Sequence, residues 1–376
     1  MKSKIVLILI AIIVSCKEVT KKQEKMEPSI SKGSSFFLGT YTDTDSKGIY
    51  RYTLNEDGSF VNNGLIAESN NPSFLAYSAD KKYLLAVNEI SDENKMGTVE
   101  SYAVKDDSLE FISRSSSGGA HPCFVTLSEN GDVLAANYTG GNIGLLKLNN
   151  NGELSDIIDI QQYVGKSITD RQEAPHAHSA WFDPNSDAII TVDLGTDNLW
   201  FSTINTDSNK LESGKPEKVS ISAGSGPRHI AFHPSRPWFY VINELTNTVS
   251  LLKKSDTGVY ELGTTVSTLP SNFEGDSFCA DIHISGDGKF LYASNRGHNS
   301  LAIFKVNQEF GALTLLGHES VKGDWPRNFS LSPNEDFIVV ANQKSQNLVS
   351  FKRDKNTGLM TYVNEIAAPS PVCILF

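Results

Sequence analysis

The chain has 376 residues, with 44 Asp and Glu against 33 Lys and Arg and a formal net charge of −11. That acidity repels a polyphosphate backbone, so nucleic acid is not expected as a partner. At 39% hydrophobic and 20% charged residues, the composition is that of a globular protein, and the length alone would allow two domains or more.

The N-terminus reads as a targeting segment. Lys2 and Lys4 precede an unbroken apolar run from Ile5 to Val14, too short to span a bilayer and suited to a signal-peptide core. Ile13-Val14-Ser15-Cys16 resembles a bacterial lipobox, whose cysteine becomes the lipidated first residue; a plain secretory signal is the alternative. The expected layout is a signal peptide over 1–15, lipidated Cys16 with a polar tether to residue 33, and one folded domain over 34–376. It places the protein in the cell envelope, held by lipid on the periplasmic face or the outer membrane. Cys123, Cys279 and Cys373 remain, an odd number that rules out a fully paired disulfide framework. Each lies in an apolar segment and is expected as a buried free thiol.

Beyond the tether a unit recurs. Apolar runs end at Gly39, Asn88, Asn137, Asp193, Asn243, Asn295 and Asn342, at intervals of 49, 49, 56, 50, 52 and 47 residues. A second signature precedes most runs: proline followed by a short apolar strand, at Pro72, Pro122, Pro227 and Pro326, with Ala177–Phe182 and Cys279–Ile284 as variants lacking proline in place. Turn residues such as Ser128-Glu-Asn-Gly131 and Ser285-Gly-Asp-Gly288 link the two. Two further alternating strands follow in each unit, as at Thr248–Lys253 and Gly258–Leu262. Four strands per repeat of about 50 residues predict an all-β, seven-bladed β-propeller with four antiparallel strands per blade. The last copy of the first strand is the C-terminus, Pro371–Phe376, whose companions begin at Ser35. The C-terminal strand should therefore join the N-terminal blade and close the ring. Two stacked β-sandwiches are the competing architecture.

First strands of propeller blades line the central channel. Aligned, the residues after the proline position are Ser73, Cys123, His178, Arg228, Ala280, Arg327 and Val372. The next are Phe74, Phe124, Ser179, His229, Asp281, Asn328 and Cys373, and those following each run are Thr40, Glu89, Tyr138, Leu194, Glu244, Arg296 and Gln343. The copies between 176 and 300 carry His176, His178, Arg228, His229, Glu244, Asp281, His283, Arg296 and His298, whereas the opposite copies are mostly small or apolar. Buried charges cost several kcal/mol per ion unless paired, so a one-sided cluster points to a polar ligand or a reaction. An inter-blade ion network is the structural alternative. No Gly-x-Ser-x-Gly elbow, phosphate-binding loop or dinucleotide fingerprint occurs. His176 and His178 share a strand face and form a possible metal pair, but no third ligand stands at a diagnostic spacing, so no metal or cofactor is expected.

Gly39–Thr42, Pro175–His178, Gly226–His229, Val241–Leu245, Ala280–His283, Ser294–His298, Trp325–Asn328 and Pro369–Cys373 together resemble the seven-bladed propeller lactonases, the 6-phosphogluconolactonase-like family. The resemblance runs from about residue 34 to 376, in order. It implies hydrolysis of a sugar lactone such as 6-phosphogluconolactone or a related aldonolactone at the central channel. It also admits the carboxy-muconate branch, which closes a lactone; a non-catalytic envelope propeller binding a glycan or protein is the third reading. The catalytic set it implies is His178, Arg228, Glu244 and Arg296, with His176, His229, Asp281, His298 and Arg327 binding substrate. Glu244 or His178 would serve as general base and the arginines as oxyanion, carboxylate or phosphate holders. The expected partners are a small lactone and the membrane, with the chain itself a monomer.

Overall fold

Each apolar run forms the second strand of a four-stranded antiparallel sheet. It is apolar throughout because both of its faces are covered. In Trp238–Asn243, Trp238, Tyr240 and Ile242 pack against the following sheet, while Phe239 and Val241 pack against the preceding one. The computed structural model describes residues 33–106 and 108–376; the expected signal segment 1–15, Cys16 and the rest of the tether to residue 32 lie outside the described residues.

Seven such sheets follow one another along the chain. Numbered as blades one to six, they begin at Leu75, Pro122, Ala177, Pro227, Phe278 and Pro326, each starting with its inner strand. In the seventh blade the inner strand is Pro371–Leu375, which pairs antiparallel with Ser34–Thr40. Both ends of the domain thus lie in one sheet, and the ring has no open edge, as the repeat predicted. The core is divided accordingly: seven apolar clusters lie one between each pair of neighbouring blades, including one between the seventh and the first. Large side chains such as Tyr240, Phe304 and Phe351 are fully buried there, each contributing on the order of 1.5–3 kcal/mol relative to exposure. The charged residues of the inner strands and run ends are turned instead toward the channel, as at Arg228 and Glu244.

Two local features aim side chains at that channel. Five of the seven runs end in a buried Asn that holds the adjoining turns: Asn295 Nδ2 donates to the Thr268 carbonyl (3.0 Å) and Ser300 Oγ (3.2 Å). In blade three an aspartate takes this place, and Asp193 Oδ1 accepts from the His176 amide (2.7 Å). The second feature is a β-bulge near the start of the inner strands. Pairing skips Cys123, His178, Arg228, Arg327 and Val372 in their respective sheets. A bulge sets two successive side chains on one face instead of alternating them. Arg228 and His229 therefore both face the channel, at different heights.

Candidate active site

The bulged residues and the residues just after the runs meet where the inner strands begin, at what we call the near mouth. They enclose a cavity of about 470 Å³ lined by Tyr41, Glu89, Cys123, Tyr138, Arg171, His178, Glu244, Phe278, Arg296, Trp325 and Arg327. Glu244 is its electrostatic centre. Its Oε2 lies 2.8 Å from Arg296 Nη2 and 3.2 Å from Arg228 Nε, and its Oε1 accepts from Arg171 Nη2 at 3.1 Å. Burial raises its pKa, but Arg296, Arg228, Arg171 and Arg327 outweigh burial and hold it at about 2. Arg228 stands behind Glu244 and donates to the Ala280 carbonyl; burial, with Arg327 and Arg296, brings it down to about 10. Arg296 donates to the Cys279 carbonyl (2.7 Å) and lies over the Trp325 ring, 5.3 Å from its centroid.

A second chain of polar groups crosses the opposite wall. Arg327 donates to the Tyr41 hydroxyl, which donates to Glu89 Oε2 at 2.8 Å. Burial keeps the Tyr41 phenol protonated well above its usual range. His178 is buried and stands edge-on to Tyr138, ring centroids 5.6 Å apart, with Nδ1 3.7 Å from Cys123 Sγ. Burial, Arg228 and His229 push its pKa well below the usual imidazole value, so the ring is neutral at pH 7. Burial also pushes the Cys123 thiol up, which removes it as a thiolate nucleophile. Four guanidinium groups thus face two carboxyl groups, and the near mouth keeps a positive excess even with both acids ionised.

The structure brings together His178, Arg228, Glu244, Arg296 and Arg327, and separates them from the other expected site residues. His176 is buried outside the cavity lining: it stacks on Tyr138 (4.4 Å, 8°) and donates from Nδ1 to the Tyr138 carbonyl at 3.0 Å. It braces a wall residue of the cavity. His229 and Asp281 face the other end of the channel, in a separate cavity with Phe74, Phe124, Trp181 and Asn328. Asp281 accepts from His229 Nδ1 (2.9 Å) and His283 Nε2 (3.0 Å). Burial works against its ionisation, but these two imidazoles hold its carboxyl far below the usual range. Burial and Arg228 depress His229 to about 4. The bulge is what places these residues one layer away from the near mouth. His298 lies in the turn after Phe290–Arg296, with Nδ1 2.6 Å from Ser300 Oγ and its ring against Phe273 and His318. It is not part of the cavity lining. His176 and His178 are committed to different partners, and among the described residues no group of three or more His, Cys, Asp or Glu is arranged to hold a metal.

Sequence reasoning passed over Glu89, Tyr138, Tyr41, Trp325 and Arg171. Glu89 and Tyr138 hold the same repeat position as Glu244 and Arg296, so the alignment of runs already carried that signal. Arg171 had a different one. It lies in the 3₁₀ turn Asp170–Gln172, in the segment that makes the interval from Asn137 to Asp193 the longest of the six.

Fold and site together define a propeller whose channel opens into a ligand-sized, arginine-rich cavity. Over residues 35–376 the chain matches the family model described as "Lactonase, 7-bladed beta-propeller". It belongs to this family of lactone-hydrolysing enzymes. A Bacillus subtilis protein named 6-phosphogluconolactonase is 36% identical over 346 residues, 90% of this chain and 97% of its own. One of the same name from Formosa agariphila is 35% identical over 334 residues, 86% of this chain and 93% of its own. Among solved structures, the periplasmic gluconolactonase PpgL of Pseudomonas aeruginosa superposes with a TM-score of 0.85 at 29% identity, covering 91% of this chain and 98% of that one.

Proposed function

We propose that this chain opens the ring of a sugar lactone, 6-phosphogluconolactone or a related aldonolactone, in the near-mouth cavity. The observation that carries the reading is the guanidinium excess around a cavity of about 470 Å³, within the size range that holds a small polar ligand. Water attack on a lactone carbonyl builds a tetrahedral oxyanion, and fixed guanidinium groups in a water-poor site stabilise that charge before it forms. The names carried by the relatives agree with this substrate class.

The two carboxyl groups divide the work. Glu244 has both oxygens engaged by arginine and a pKa of about 2, which makes it a poor proton acceptor and a good counter-ion. Glu89 is bonded through Oε2 to a neutral phenol, and its other oxygen accepts from no protein group among the described residues. We assign Glu89 as the general base that takes the proton of the attacking water. Neutral His178 lines the same cavity and would hydrogen-bond the ring oxygen, while the leaving alkoxide takes the proton that Glu89 removed from water. The expected envelope placement belongs to the same proposal: the lipobox-like Ile13–Cys16 would anchor the chain, and Cys16→Ser should abolish acyl labelling and release it from membranes.

The test is acid release from glucono-δ-lactone and 6-phosphogluconolactone above the spontaneous rate. Glu89→Gln should lower kcat by about 10²-fold or more, the usual contribution of a positioned base. Absence of wild-type rate on both lactones would overturn the reading; full kcat in Glu89→Gln would overturn the base assignment alone.

A further inference from the structure

Arg171 differs from the other three guanidinium groups at the near mouth. Its side chain is 50% exposed, against 3% for Arg228 and 6% for Arg296. Arg228 and Arg296 are tied to backbone carbonyls of blade five, and Arg327 to Tyr41. Arg171 reaches the cavity from outside the blade framework, and both of its bonds use one atom: Nη2 donates to Tyr138 Oη and to Glu244 Oε1, each at 3.1 Å. Its Nε and Nη1 donate to no protein group among the described residues, so half of the guanidinium fork is open.

The backbone beneath it is held firmly. Gln172 is buried, and its Nε2 donates to Asp197 Oδ1 and the Leu194 carbonyl, each at 2.8 Å. Ser167 Oγ donates to the other oxygen of Asp197. A half-exposed, open-forked guanidinium on a fixed backbone is the arrangement suited to bidentate capture of an oxyanion group. The charge accounting allows it: if Arg171 turns away, Glu244 keeps Arg228 and Arg296 on Oε2, so no buried carboxylate is left unpaired. Oε1 then becomes free to accept a substrate hydroxyl.

We infer that Arg171 is a specificity residue that exchanges Glu244 for an anionic substituent, phosphate or carboxylate, on the part of the sugar lactone remote from the reacting carbonyl. The inference rests on the proposed lactonase reading of this cavity. It makes Arg171 the selector between charged and neutral lactones, while the buried arginines serve the reaction common to both.

The experiment compares kcat/KM for glucono-δ-lactone, 6-phosphogluconolactone and a glucarolactone in wild type, Arg171→Ala and Arg171→Lys. Arg171→Ala should lower the charged-to-neutral ratio by about tenfold or more, the scale of one charge-assisted contact, chiefly through KM. Arg171→Lys should recover part of it. The charged lactone that loses selectivity identifies phosphate or carboxylate as the group read. Calorimetric Kd values for 6-phosphogluconate, glucarate and gluconate give a readout independent of turnover. A ratio unchanged within about twofold in Arg171→Ala overturns the inference. So does wild-type protein that binds both doubly functionalised acids no more tightly than gluconate. Wild type inactive on all three lactones defeats the lactonase reading instead, and the Kd comparison still decides the role of Arg171.

Discussion

Glu244→Gln would leave Arg171, Arg228 and Arg296 facing one another across a neutral amide. Removing one partner of a buried ion cluster costs about 3–5 kcal/mol, because the remaining charges stay desolvated without compensation. The variant should therefore unfold at clearly lower denaturant concentration, and its kcat/KM should fall on neutral and charged lactones alike; an unchanged midpoint would contradict the counter-ion role. Asn295 makes a structural forecast at the same scale. It is buried and holds Thr268 and Ser300, so Asn295→Ala should cost about 1–3 kcal/mol through unsatisfied partners. Its effect on lactone turnover should be small beside that of Glu89→Gln.

The inner strand is the element on which site and fold meet. Its bulge turns Arg228 toward Glu244 and His229 toward Asp281 in consecutive residues, where a regular strand would send one of them into the blade interface. The seventh inner strand, Pro371–Leu375, also closes the ring. Its Ile374 lies in the cluster between blades six and seven, and its Cys373 in the cluster between blades seven and one. Deleting residues 371–376 should expose both clusters and the unpaired edge of Ser34–Thr40. Thermal unfolding should lose its cooperative transition; a truncated chain that melts like the full domain would disprove closure by this strand.

Across the whole molecule, the buried titratable groups set how stability responds to acid. His178 and His229 have pKa values held below the unfolded imidazole value of about 6.5, His229 at about 4. As pH falls below about 6.5, the unfolded chain binds protons that these two native rings refuse, so stability drops. Glu244, depressed to about 2, continues the trend: its contribution is complete above the unfolded value and is lost as pH falls from there toward about 2. Asp281 acts in the same direction and Asp193, whose pKa burial raises, in the opposite one. The melting temperature should therefore decline steadily from near pH 6.5 downward. A flat profile between pH 7 and 4.5 would show that the imidazoles are not held neutral.

The sequence by itself determined the ring. Seven apolar runs at near-constant spacing and the displaced first strand at Pro371–Phe376 leave few other ways to bury those runs on both faces. It also marked the charged residues of the channel, because the repeat alignment sets Arg228, Glu244, Arg296 and Arg327 against small, apolar or neutral residues in most other copies. Tertiary structure alone decided the height of each residue in the channel. His229 and Asp281 lie one residue past Arg228 and Ala280, yet the bulged strands place them at the opposite cavity. It also decided which carboxyl group is free: Glu89 and Glu244 occupy equivalent repeat positions, and only the surrounding partners, one phenol against three guanidiniums, distinguish them. Arg171 belongs to the loop whose extra length was visible in sequence, but its reach across the mouth depends on the hold that Asp197 has on that loop. Spacing along a chain sets which residues recur; the environment that gives each its charge state exists only once the blades have closed around it.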